Sequence, residues 1–425
     1  MNQALYKGKI DFMQKDDVLR LLRDPNLLPS EKLTLLSNIA TQAETLGVPC
    51  YVVGGFVRDL LLGKPINDLD VVVEGDAINL GKKLVDVYGG KLTPHFKFHT
   101  AIWHLPNSTD FVDLITARKE IYEMPGALPK VTPSTIEDDL RRRDFTINAM
   151  ALRLDGEGFG EILDPLDGQA DLERRVIRVL HPRSFMDDPT RIFRAIRYEG
   201  RYSFNIEPLT LGLVDSEALK VLHMLSGERL RHELDLILEE ERAFQMVLRV
   251  ASAGVLTSIH PKMPKFNQEY ADYLEMDIQL DVPADRRSMG FILWFLDLTE
   301  EEIFSLANRL DFSNQLSLDV WAGAQLMRSL PHLVGAKPSE WTYALEKLPL
   351  LSIYAVYLIS RENALLSYIS FWRHVKPRTN GNDLKAMGLL PGPRFSEILL
   401  KLRSAWLDGE VTNESQEKEL LAKLL

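Results

Sequence analysis

Apolar positions in the first third of the chain follow two kinds of pattern. VPCYVVGG (48–55) and LDVVVE (69–74) are short runs dense in β-branched residues, which predict strands buried on both faces. FVRDLLLG between them reads as a short helix, and a longer helix is expected before them from Glu31 to Leu46. DAINLGKKLVDVYGG opens on an Asp and closes on glycines, as a capped helix does. KFHTAIWHLP and TDFVDLITAR follow as two strands that turn at Asn107 and Ser108. From about Glu161 the period becomes helical, in DLERRVIRVL, DPTRIFRAIRYEG, LTLGLVDSEALKVL and ERLRHELDLILEEERAFQMVLRVA. The polar segment HPKMPKFNQEY breaks this series before a last set of helices. The pattern predicts an N-terminal extension over 1–32 (a docking strand or helix), an α/β head over 33–154, and helical regions over 155–225 and 226–425.

Composition narrows the setting. A length of 425 residues leaves room for two to four domains of about 100 to 200 residues each. Cys50 is the only cysteine, so no intrachain disulfide can form, and a reducing compartment fits. The first residues carry charge throughout without the apolar core of a signal peptide. The longest apolar run, Leu348 to Ser360, is too short to cross a bilayer and reads as a buried helix. These features place the chain in the cytoplasm, away from membranes. A net charge of −11, from 61 acidic and 50 basic residues, argues against indiscriminate binding to polyanions. Any nucleic-acid contact must use local basic surface, in LRRRDF (Arg141, Arg142, Arg143), in RIFRAIRYEGR or in RHVKPR. By itself each run reads as a solvated face.

The chemistry begins at INDLDVVVEG. Asp68 and Asp70 lie two apart at the mouth of a strand and project the same way. Paired carboxylates repel unless a cation sits between them, and their oxygens suit Mg²⁺. An isolated pair of this kind is more often turn chemistry. The preceding YVVGGFVRDLLLG runs a strand into Gly54 and Gly55 and starts a helix at once. Such a turn lets backbone N–H groups approach phosphate oxygens, with Arg58 one turn in. Asp113, on a neighbouring strand, either faces the same site or pairs with Arg118. With Asp68 and Asp70 it makes a three-carboxylate set of the kind that holds two metals for in-line attack on a phosphoryl group. In MDDPTRIFRAIRY, Asp188 and Pro189 read as N-cap and first helical residue. Arg191, Arg194 and Arg197 recur every three residues, while Ile192, Ala195 and Ile196 supply the packed side.

GGFVRDLLLGKPINDLD, then DLITARKEIYEMPGALPKVTPSTIEDDLRRRDFTINAMAL, then FMDDPTRIFRAIRY, resemble the successive motifs of class II tRNA nucleotidyltransferases, the CCA-adding enzymes and their bacterial poly(A) polymerase relatives, across about Tyr51 to Leu238. The resemblance implies an α+β fold class: a polymerase-β-like nucleotidyltransferase head followed by an elongated all-α neck (155–225, reading the base), body and tail (226–425, binding tRNA). It implies that Asp68, Asp70 and Asp113 hold Mg²⁺, and that Gly54, Gly55 and Arg58 meet the nucleotide. Arg143 and Asp144 would serve ribose and phosphates with help from Asn148. Asp188 and Arg191 would read the base, and Arg194 and Arg197 would meet phosphates. Cytosine and adenine both present an amine donor beside a ring-nitrogen acceptor, which a carboxylate and a guanidinium match; guanine and uracil reverse the order. Asp187 stands where the family usually has Glu, with a shorter reach. Residues 119–137, polar and proline-rich, read as a surface linker by composition and, by resemblance, as a mobile loop associated with adding the terminal A.

The C-terminal half offers a turn at 388–393 that resembles a helix-hairpin-helix and reads equally as a plain corner between helices. Arg373, Lys376, Arg378, Gly392 and Arg394, with Lys401 nearby, are the expected tRNA contacts. His95, His99 and His104 are too irregularly spaced for one strand face and read as ordinary histidines. No His-Asp dipeptide and no Walker-type phosphate loop occurs. The expected activity is template-independent, Mg²⁺-dependent addition of CCA from CTP and ATP to the tRNA 3′ end, with the acceptor arm gripped through its shape. The rivals are addition of the terminal A alone beside a separate CC-adding partner, poly(A) synthesis, and a noncatalytic tRNA-binding module.

Overall fold

The computed structural model describes residues 13–274 and 285–425. The chain divides into two compact units, Met1–Leu225 and Ser226–Leu425. The first is α+β. It runs α1 (Lys15–Leu22), α2 (Ser30–Thr45), β1 (Cys50–Val53), α3 (Gly55–Leu61), β2 (Asp70–Val73), α4 (Ala77–Tyr88), β3 (Lys91–His95), β4 (Thr100–His104) and β5 (Phe111–Thr116). Then come β6 (Arg118–Ile121), β7 (Lys130–Pro133), α5 (Ile136–Arg141), β8 (Ala151–Arg153), β9 (Ile162–Leu163), α6 (Gly168–Glu173), β10 (Val176–Ile177), α7 (Ser184–Asp187), α8 (Thr190–Tyr202), β11 (Asn205–Ile206), α9 (Pro208–Gly212) and α10 (Ser216–His223).

Seven strands form one sheet in the order β3-β4-β5-β2-β1-β8-β9. Within this sheet only β2 and β5 pair in parallel, with Asp70 opposite Asp113 and Val73 opposite Thr116. Side chains alternate between faces, so the sequence divides the core in two. Val52, Val71, Val73, Val112 and Leu114 face α1 to α4 and are buried there with Leu36, Phe56 and Leu80. Tyr51, Val53 and Val72 face the other way, against Ile136 and Leu140 of α5. The helix expected at 31–46 is α2, and the N-terminal extension contributes α1, whose Val18 and Leu22 are buried in the head core.

Several elements depart from the expected pattern. The linker at 119–137 contains an antiparallel hairpin, with Arg118 opposite Pro133 and Ile121 opposite Lys130. Its tip is tied down where the Gly126 N–H meets the Met186 carbonyl at 3.0 Å. DLERRVIRVL is not one helix. Arg175 takes a left-handed φ of 57°, and the chain leaves α6 to pair Val176–Ile177 in parallel with β11. β3, β8 and β9 also arise where no strand was expected.

The second unit is helical throughout its described residues. Its apolar run forms the helix Leu350–Ser360, buried on most of its surface. Among the described residues no helix is long and apolar enough to cross a membrane. The final helix, Glu414–Leu424, is fastened by Glu417, which is 1% exposed. Its carboxylate accepts from the Arg378 N–H at 2.9 Å, the Thr379 N–H at 2.6 Å and the Trp406 indole N–H. Burial opposes its ionisation most, but these donors and the Thr379 hydroxyl hold Glu417 below the ordinary glutamate range. Glu417→Gln sets an amide NH₂ against donors that need an acceptor. It is expected to cost the second unit about 1 to 3 kcal/mol, read as a lowered urea midpoint, because buried donors lose charged partners.

Candidate active site

The acidic cluster follows from strand parity. Asp70 shares the Val72 side of β2 and Asp113 the Ile115 side of β5, so both point away from the main core. The Asp113 N–H donates to the Leu69 carbonyl at 3.2 Å, which pins it beside the Asp68–Asp70 segment. All three acids line one cavity of about 330 Å³, together with Lys32 and the exposed Phe111. Burial, then Asp113, then Asp68, push the Asp70 carboxyl above its usual range, against partial relief from Arg143. Burial and Asp68 raise Asp113, with His95 opposing. Arg118 bonds the Phe98 carbonyl and Glu120, so the alternative pairing of Asp113 with Arg118 does not form.

Among the described residues, no three of His, Cys, Asp or Glu close into a ready ion cage. The donor set is nonetheless one a hard divalent cation fits: carboxylate oxygens of three acids lining one cavity, with Asp70 and Asp113 both raised above the usual carboxylate range.

The glycine turn is built around arginines. Gly54 sits at φ 64°, a backbone angle that disfavours a side chain, and a Cβ there would lie 2.7 Å from Arg143 Nη1 and have to displace it. Arg143 bonds Asp139 at 2.9 Å, and Arg142 bonds the same carboxylate through Nε and Nη2. Asp139 is fully buried. Burial opposes its ionisation most, but Arg143 and Arg142 hold it below the ordinary range. Two thirds of the RRR run is therefore committed inside the protein. Asp139 escaped the sequence reading, although an acid three and four residues ahead of two arginines on a helix is a readable pairing signal.

Arg58, expected at the phosphates, gives Nε and Nη2 to Asp59 at 2.9 Å each and Nη1 to Asn148 at 2.6 Å. Asn148 donates to Asp144 at 3.0 Å, and Asp144 pairs with Arg194 at 2.6 Å. Burial works hardest against the Asp144 charge, yet Arg194, Asn148 and Arg191 keep it ionised below the usual range. Arg197 is also buried on α8.

Asp188 is extended rather than the N-cap itself. The short α7 ends just before it and Pro189 takes the cap position, one residue later than expected. Its carboxylate accepts from the Thr190 N–H at 3.1 Å and hydroxyl at 2.7 Å. Arg191, 5% exposed, donates to the Ser184 hydroxyl and the Arg142 carbonyl, both at 2.9 Å. Tyr122, on the hairpin, feels the charges of both Arg191 and Asp188. The structure thus gathers Arg143, Asp144, Asn148, Asp188, Arg191 and Arg194 around α8 and the 142–148 turn, and ties Arg58 into the same network.

In the second unit the expected tRNA contacts scatter. Lys376 lines a cavity of about 370 Å³ with Tyr343 and Arg403. The Arg378 backbone is held by Glu417, and Arg394 reaches the Leu425 carbonyl at 2.8 Å. Gly392 opens the helix Pro393–Leu407, and Arg373 bonds His374 at 2.9 Å.

Comparison with known proteins bears on this constellation. Residues 50–178 match the model of the poly A polymerase head domain family. The A-adding tRNA nucleotidyltransferase of Geobacter sulfurreducens is 35% identical over 422 residues, covering 93% of this chain; the chain spans about half, 47%, of that relative. The CC-adding tRNA nucleotidyltransferase of Deinococcus radiodurans is 40% identical over 374 residues, 88% of this chain and 89% of that one. The solved Thermotoga maritima CCA-adding enzyme complexed with tRNA superposes with a TM-score of 0.74 at 30% identity, covering 96% of this chain and 98% of its own.

The raised carboxyls carry a stability consequence. A carboxyl whose folded pKa lies above its unfolded value binds protons more tightly in the native state. Stability therefore falls as pH rises from the unfolded to the folded pKa, and the penalty persists at neutral pH. In metal-free buffer at pH 7, Asp70→Asn is expected to raise the melting temperature, by about 2 to 4 °C for each kcal/mol of repulsion removed. An unchanged or lower value in a calorimetric scan would contradict this charge crowding.

Proposed function

The chain belongs to the tRNA nucleotidyltransferase family, and from that premise we propose that it adds C and A, from CTP and ATP, to the 3′ end of tRNA without a template. The observation that carries this reading is the β2–β5 register, which puts Asp70 and Asp113 on one sheet face with Asp68 beside them. Divalent cations, Mg²⁺ in this proposal, would sit among these three carboxylates and supply charge neutralisation for attack on the α-phosphate and departure of pyrophosphate. Asp68, Asp70 and Asp113 orient the donor oxygens. The Gly54–Gly55 turn, without side chains of its own, would bring its backbone N–H groups to the triphosphate, and Arg143, whose Nη1 lies beside Gly54, would face the charge that arrives there.

Base choice falls to Asp188 and Arg191 at the start of α8. A carboxylate accepts the exocyclic amine of C or A and a guanidinium donates to the adjacent ring nitrogen. Guanine and uracil meet donor with donor and acceptor with acceptor, a mismatch of about 1 to 3 kcal/mol per contact. Arg194 and Arg197 extend the positive side of this helix, with Asp144, itself held by Asn148, pairing with Arg194. For the tRNA itself we propose the acceptor arm as partner, contacted by the second unit through Arg373, Lys376, Arg378, Gly392 and Arg394, in the reducing cytoplasm that a single buried thiol fits.

A second reading, addition of the terminal A only beside a CC-adding partner, is favoured by the similarity to the A-adding relative. Purified protein offered tRNAs ending before CCA, at C and at CC, with CTP and ATP separately, decides between them. Extension of all three supports CCA addition, whereas extension of the CC-ended tRNA alone selects the second reading. Asp70→Ala is expected to abolish incorporation while leaving tRNA affinity within about twofold, as befits a group that acts in the chemical step. Undiminished incorporation by that variant removes the acidic cluster from the mechanism.

A further inference from the structure

The contacts of Arg58 continue into a closed ring. From Asp59 the path runs through Arg58, Asn148 and Asp144 to Arg194, with separations of 2.9, 2.6, 3.0 and 2.6 Å. Arg194 Nη2 lies 3.5 Å from the Tyr198 hydroxyl, and the Tyr198 and Tyr202 rings cover the Arg58 guanidinium at 5.3 and 4.7 Å. The Tyr202 hydroxyl then donates back to Asp59 at 3.2 Å. Arg58, Asn148 and Asp144 are each buried.

The members on α8, at 194, 198 and 202, are spaced by four and form one stripe of the helix. Holding three positions of one stripe fixes the rotation of the helix about its axis. Arg191 lies one turn before Arg194, so any rotation that moves one moves the other. A buried polar network whose members are paired has one favoured arrangement, and breaking one link releases the rest. On the opposite side the ring is anchored in α3, whose first residue belongs to the glycine turn.

We propose that Arg58 and Asp59 are positioning residues for base selection. Their ring sets the rotation of α8 against the glycine turn, and thereby where Arg191 meets the incoming base. This rests on the reading of Asp188 and Arg191 as the base-selecting pair. Asp59 is the diagnostic member, since a carboxylate is repelled by a triphosphate and cannot act by binding one. Asp59→Asn weakens both bonds to Arg58, and Tyr202→Phe removes one hydroxyl while keeping the ring over the guanidinium.

The test measures kcat/KM for ATP, CTP, GTP and UTP on the same tRNA with full-length wild type and both variants, alongside the melting temperature. Failure of wild type to incorporate C or A would overturn the functional reading itself, before this inference is reached. Given active wild type, Asp59→Asn is expected to lower the preference for ATP over GTP by about tenfold, the scale of a weakened charge-assisted hydrogen bond. Tyr202→Phe should shift it in the same direction by less, with the KM for tRNA unchanged. An unaltered preference overturns the proposal, and so does an equal loss with all four nucleotides, the mark of a merely structural role. If Asp59→Asn fails to fold, Tyr202→Phe alone decides, by the same two outcomes.

Discussion

Three carboxylates stand together in this protein because the pairing of β2 with β5 leaves them no other place. Val71, Val73, Val112 and Leu114 must face the helices, and shifting either strand by one residue would turn these apolar side chains outward. Each buried aliphatic side chain contributes about 1.5 to 3 kcal/mol, so the register is set by apolar burial on one face. Asp70 and Asp113 accept the electrostatic consequence on the other. Hydrophobic packing thus holds in place a cluster of like charge that would disperse if left to itself.

Elsewhere the chain treats charge in the opposite way. Asp139 is enclosed by two arginines, Asp144 by Arg194, Asn148 and the Phe145 N–H, and Glu417 by four donors. Removing one partner from such a pair strands the other in a low-dielectric interior, which makes these groups rigid anchors. The contrast separates two uses of acids in one protein. Compensated carboxylates fix the backbone about themselves, whereas Asp68, Asp70 and Asp113 are left crowded along one cavity.

Much of the head was legible from local pattern. β1 and β2 announced themselves through consecutive valines and β4 and β5 through a polar turn, with Asp68 and Asp70 readable at the mouth of β2 and Asp113 within β5. β8 and β9 are three and two residues long; β8 adds to the edge of β1 and β9 in turn to β8, which no local window reveals. The hairpin at 118–133 is polar and mostly exposed, so its pairing left no apolar trace. The bond from Arg58 to Asn148 was equally hidden, because its partner lies 90 residues away. DLERRVIRVL misled because its helical period is genuine, but β11 recruits Val176 and Ile177 from it.

One detail of the central strand reaches beyond the reaction. Cys50 begins β1, is completely buried, and has its thiol pushed far up by burial and by the neighbouring Asp155. A sulfhydryl so protonated and enclosed is inert toward alkylating agents until the sheet opens. Since it is the sole sulfhydryl in the chain, labelling kinetics under native conditions become a clock for the breathing of the first unit, with no engineered probe and no second thiol to confuse the trace.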